Sequence, residues 1–156
     1  MTEAVIVATA RTPIGRAFKG SLKDIRPDDL SAQVVHGLLA KLPGLDPSTI
    51  DDLYWGCADP SGRHGSNMAR VIAVLAGMDH LPAATINRFC ASSTQTMRMA
   101  FHAIKAGEGH AFISAGVETV SRFGFGGADF MPNTQNPIFA AAGARTRASS
   151  GTCWWW

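Results

Sequence analysis

The chain has 156 residues, 46% hydrophobic and 17% charged, with a net charge of +2 when histidine is neutral. That balance supports one modest folded domain and excludes a disordered chain. The basic residues are scattered, so no stripe marks a nucleic-acid surface, and the apolar runs are too short to span a bilayer. Met1-Thr2-Glu3 lacks the basic and apolar regions of a secretory signal, which makes a cytoplasmic location the expectation.

In chain order, Ala4-Val5-Ile6-Val7-Ala8 is a short apolar run that predicts a buried first strand, closed by Arg11-Thr12-Pro13-Ile14-Gly15. Pro27-Asp28-Asp29 opens a helix whose Leu30, Val34, Val35, Leu38 and Leu39 recur at helical spacing, and Pro43-Gly44 stops it. Asp52 to Cys57 predicts a second strand. Residues 58–66 are rich in Gly, Ser and Pro and predict a loop. Ser66 is placed to cap the next helix, with Met68, Val71, Ile72 and Leu75 on one face and Gly77 at its end.

Ala83 to Asn87 predicts a third strand. A helix follows from about Ala91, with Met97, Ala100, Phe101 and Ile104 expected inward and Gly107 as its stop. Ala111 to Ala115 predicts a fourth strand. After Ser121 the regular pattern fades into a long Gly- and aromatic-containing stretch. Strands alternating with helices predict an α/β fold, a largely parallel mixed sheet with helices on both faces. The expected organisation is an α/β domain over 1–121, the start of a loop region over 122–147, and an atypical tail over 148–156 that ends in three tryptophans. A premature stop, a shifted reading frame or a cloning scar is the expected origin of such a tail, with a genuine short protein as the alternative.

The three cysteines, Cys57, Cys90 and Cys153, suit neither a disulfide framework nor a zinc ribbon. Cys90 stands apart because it follows a predicted strand and opens a predicted helix. That position is the carboxyl edge of a sheet, where α/β folds place ligands. The helix start offers unpaired N–H groups and partial positive charge, both of which favour a thiolate. Ala91, Ser92 and Ser93 leave room for a substrate, and the Cys90 N–H is placed to help hold an oxyanion. The bland alternative is a small buried residue.

The stretch Asn87-Arg88-Phe89-Cys90-Ala91-Ser92-Ser93 resembles the acyl-enzyme motif of thiolases, with Met97 and Ile104 where that motif has aliphatic residues. Ala10-Arg11-Thr12-Pro13-Ile14-Gly15, Asn67-Met68-Ala69-Arg70 with Ala76-Gly77, and Ser114-Ala115-Gly116-Val117-Glu118-Thr119-Val120-Ser121 are similar to family segments in the same order. Ala115 stands where the family has glycine. The resemblance covers residues 4 to about 145.

It implies acyl transfer between coenzyme A thioesters through an acyl-cysteine on Cys90, with acyl-CoA and CoA as substrates and no permanently bound cofactor. It also implies a homodimer or homotetramer of the full-length form, and fatty acid metabolism as the setting. No metal, nucleic-acid or membrane partner is implied, and residues contacting coenzyme A are not assigned. Thiolases carry an activating His in a Gly-His-Pro motif, a second Cys and an Asn-Glu-Ala-Phe segment in their carboxyl-terminal half. None of these occurs here, so the expectation is an amino-terminal part, truncated in the loop region, with little turnover of its own. A non-catalytic fragment, half of a split enzyme, and a ketoacyl-synthase relative remain as alternatives.

For the remaining candidates the structural reading is at least as strong. Cys57 is expected to be buried, and Cys153 an exposed thiol. Arg70 and Arg88 are expected to contact a phosphate, a partner or a nearby ion pair. Glu118 is expected to serve a structural hydrogen-bonding role. Phe123, Phe125, Phe130, Met131 and Phe139 suit either an acyl pocket or a packing contact. His36, His64, His80, His102 and His110 are expected to be solvated and structural.

Overall fold

The computed structural model describes residues 3–60, 62–65 and 67–122. Its regular elements are α1 (Pro27–Leu39), β1 (Asp52–Gly56), α2 (Met68–Leu75), β2 (Ala83–Ile86), α3 (Ser92–Ala106) and β3 (Phe112–Gly116). Short 3-10 turns occupy Pro47–Thr49, Gly62–His64 and Val120–Arg122. The sheet order is β2-β1-β3, and both pairings are parallel, Leu53 lying beside Ala83 and Ile113. Each parallel step requires a crossover, which α2 and α3 supply. The two crossovers run in opposite directions along the sheet, so right-handed connections put α2 and α3 on opposite faces.

The two faces differ in chemistry. Leu53, Trp55 and Ile113 point to one side and form the main core with Val35, Met68, Ile72, Met78 and Leu81. Successive strand residues alternate in direction, so Gly56, Ser114 and Gly116 point to the other side, towards α3. A Cβ on Gly56 would lie 2.8 Å from the Ser92 carbonyl carbon and the Ser93 nitrogen. Only glycine lets α3 approach so closely.

That contact changes which residues of α3 turn inward. Ser92, Thr96, Ala100 and Ala103 are buried, whereas the predicted Met97 and Phe101 are 53% and 44% exposed. Small residues fit a sheet face made of glycines, and the Thr96 and Ser114 hydroxyls hydrogen bond across it at 2.9 Å. On α1 the buried side is Asp28, Ser31, Ala32 and Val35, with Leu38 and Leu39 only partly buried. On α2, Met68 and Ile72 are buried as predicted. Val71 and Leu75 are exposed, and Ala69 and Ala73 take their place.

Two local expectations are corrected. Residues 4–8 belong to no strand, and Val5, Ile6 and Val7 are 72%, 70% and 74% exposed. A continuous apolar run suits a strand covered on both faces, but no described strand pairs with it. The cap of α2 is Asn67, whose side chain accepts from the Arg70 N–H at 3.4 Å and donates to the Ala83 carbonyl. Ser66 lies outside the described residues, as do Phe123, Phe125, Phe130, Met131, Phe139, Cys153 and the tail.

Candidate active site

Three loops leave the carboxyl edge of the sheet, after Gly56, Ile86 and Gly116, and every candidate group on the described chain with unusual surroundings sits on one of them. The turn from β2 to α3 carries Cys90. It is tight: the Ala91 N–H donates to the Arg88 carbonyl at 3.1 Å, and the Ser92 N–H to the Phe89 carbonyl at 3.0 Å. Phe89 adopts φ 49°, a left-handed conformation costly for a side chain with a Cβ.

Two side chains hold this strained turn. The buried Ser92 hydroxyl accepts from the Arg88 N–H at 2.9 Å and donates to the Phe89 carbonyl at 2.6 Å. Asn87 Oδ1 accepts from the Phe89 N–H at 2.9 Å. The result lifts Cys90 to the surface, where its thiol is exposed, while Cys57 is buried. An exposed sulfur at the head of a 15-residue helix is accessible to an electrophile and lies near the positive end of the helix dipole.

The arginines have local partners. Arg88 Nη1 donates to Gln95 Oε1 at 2.6 Å, bracing the first turns of α3. Arg70 donates from Nη1 to the Leu81 carbonyl at 2.9 Å and from Nη2 to the Asp79 carbonyl at 2.7 Å, tying α2 to the approach of β2.

The histidines divide. His102 lies twelve residues beyond Cys90 on α3, about 18 Å at the helical rise. Its Nε2 accepts from Arg98 Nε at 3.2 Å. Exposed His36 meets the Ala76 carbonyl at 3.2 Å, and His80 and His110 are also exposed. His64 departs from the expectation of a solvated residue, because it is only 1% exposed and its Nε2 lies 3.0 Å from the Thr119 hydroxyl. Burial holds its pKa down, against the opposing charges of Glu118, Asp59 and Asp28.

Around His64 lies a second cluster that sequence reasoning missed. Cys57, at the end of β1, donates its S–H to Glu118 Oε1 at 3.4 Å. Glu118 Oε2 also accepts from the Ala58 N–H at 2.8 Å, so its structural role is as expected. Burial pushes the Cys57 thiol up to about 12, and the charge and hydrogen bond of Glu118 add to that shift. A thiol so strongly protonated is a poor nucleophile. The two described cysteines are therefore opposites: Cys57 is buried, and Cys90 is presented to solvent.

A parallel α/β sheet with an exposed cysteine at a strand-to-helix turn defines a class of folds that present a side chain at the carboxyl edge of the sheet. The thiolase N-terminal domain matches residues 4–143, and this chain belongs to that family. It is 43% identical over 146 residues to a 3-ketoacyl-CoA thiolase of Pseudoalteromonas translucida and 41% identical over 145 residues to one of Photobacterium profundum. In both comparisons 92% of this chain is covered and 38% of the relative, so the chain spans well under half the length of those relatives. No helix among the described residues is long and apolar enough to cross a membrane.

Proposed function

We propose that this chain carries the acyl-accepting half of a thiolase reaction, with Cys90 as nucleophile. The observation that carries the reading is the exposed Cys90 thiol on a turn held by Ser92 and Asn87 at the head of α3. In the half-reaction the sulfur attacks the carbonyl carbon of a CoA thioester. A new C–S bond forms, the bond to the CoA sulfur breaks, and the CoA thiolate takes up a proton. With a 3-ketoacyl-CoA, the bond that breaks is the C2–C3 bond. The released acetyl-CoA then needs a proton at C2 from a second acid. Free CoA removes the acyl group from Cys90 by the reverse thioester exchange.

Coenzyme A enters this scheme as a substrate and not as a resident cofactor. The base and the second acid would come from the carboxyl-terminal half, where the family resemblance places them; His102 lies about 18 Å along α3 and Cys57 is buried. A homodimer or homotetramer, and a place in fatty acid metabolism in the cytoplasm, go with this reading.

The test is the release of free CoA when purified chain meets acetyl-CoA. The reading predicts a burst approaching one CoA per chain, followed by little or no turnover, and no burst in Cys90→Ser. A burst of equal size in that variant would overturn it.

A further inference from the structure

The buried cluster beside the candidate site has the composition of a metal centre. Cys57, His64 and Glu118 each bring one donor atom, and these atoms lie within 4.8 Å of one another. They come from three separate segments: the end of β1, the 3-10 turn Gly62–His64, and the loop after β3. We infer that Cys57, His64 and Glu118 form a binding site for a divalent cation of the zinc class.

Four observations support this. First, the donor set pairs a sulfur and an imidazole with a carboxylate, a mixture suited to zinc or cobalt and unsuited to calcium or magnesium. Second, the spacing fits. The Cys57 sulfur is 3.4 Å from Glu118 Oε1, whereas zinc bond lengths place the two at about 3.6 Å along a tetrahedral edge. Third, the surroundings resemble an outer shell. Thr119 hydrogen bonds to His64 Nε2, and the Ala58 N–H to Glu118 Oε2, each fixing a donor residue in place. Fourth, Cys57 and His64 are buried but Glu118 is exposed, which gives an ion a route to the cluster.

The charge balance is favourable. Binding breaks the Cys57 S–H bond and forms a sulfur–metal bond, and the proton passes to buffer. A dication with a thiolate, a carboxylate and a neutral imidazole has no net charge, which limits the cost of burying it.

The test is titration of the purified full chain with Co²⁺, followed by displacement with Zn²⁺. Cobalt bound to a thiolate gives a charge-transfer absorption that reports sulfur ligation directly. The inference predicts saturation at one ion per chain, loss of the absorption in Cys57→Ser, and affinity weakened at least about tenfold in His64→Gln. Glutamine can keep the hydrogen bond to Thr119, so that variant retains the local fold. The chain has three cysteines, so a Cys90→Ser/Cys153→Ser double variant leaves Cys57 as the sole thiol and must retain the absorption. Should Cys57→Ser fail to fold, the double variant decides. Absence of the absorption in the wild-type chain or in the double variant overturns the site, as does its persistence in Cys57→Ser.

Discussion

Gly116 stands so close to Ser93 that a Cβ built on it would lie 2.2 Å from the serine Oγ and 2.8 Å from the Gly56 carbonyl oxygen. The glycines that end β1 and β3 therefore form the seat on which the first turn of α3 rests. That turn fixes the height and direction of Cys90.

Gly56→Ala tests this seat. Its new methyl would meet the backbone of Ser92 and Ser93 at 2.8 Å, and backbone cannot swing aside as a side chain can. The expected loss is about 1–3 kcal/mol of stability, as for overpacking. Cys90 should also react more slowly with acetyl-CoA. Gly37→Ala, with nothing within 4 Å, is the control: removing a helical glycine should stabilise the chain by about 0.5–1 kcal/mol. Urea unfolding of both variants checks the contrast.

Ser92→Ala removes the hydroxyl that accepts from Arg88 and donates to Phe89. The Arg88 N–H is orphaned while the Phe89 carbonyl keeps the Ser92 N–H, and the loss should cost about 1–3 kcal/mol. The strained φ of Phe89 loses one of its two restraints, so acylation of Cys90 should slow more than unfolding alone explains. Labelling rates measured well below the unfolding midpoint separate the two effects.

Stability should fall in acid for a defined reason. Burial alone would raise the Asp28 pKa. The hydrogen bonds from Arg26, at 3.0 and 2.6 Å, and from the Asp29 N–H outweigh it and hold the pKa below the ordinary aspartate value. Asp51 is held down in the same direction by the Ala111 and His110 N–H groups. Groups with lowered folded pKa values stabilise the fold fully above about pH 4, and that contribution is lost as pH falls through their folded values. Asp28→Asn should flatten this acid limb, measured as the urea midpoint from pH 6 to about pH 3.

His64 predicts a separate step at higher pH. Its folded pKa is depressed, so its contribution is complete above the unfolded value near pH 6.5 and declines as pH falls through the folded value. His64→Gln should remove this step while leaving the Asp28 limb intact. Metal-free chain in the same urea series is the measurement.

Much of the layout was legible in the sequence because local chemistry controls it. β1, β2 and β3 are short apolar runs between turn residues, and each was placed to within a residue at either end. Cys90 could be located because the strand-to-helix junction is written in adjacent residues. The inner face of α3 was misread: periodicity picks the largest apolar residues, but Gly56, Ser114 and Gly116 across the gap admit only small ones. His64 was misread for another reason. Its neighbours read as a polar loop, and the groups that bury it, such as Thr119, lie far along the chain. The run at 4–8 reads as a buried strand but is largely exposed, because an apolar pattern cannot supply the neighbouring strand that burial requires.

The acyl-acceptor role proposed for Cys90 has a direct test. The most direct measurement is to incubate the chain with acetyl-CoA, digest it at mildly acidic pH and map acetylation by mass spectrometry. Cys57 and Cys153 serve as internal controls. Acetyl groups are expected on Cys90 and none on the buried Cys57. Equal labelling of all three cysteines, or none at Cys90, would contradict it.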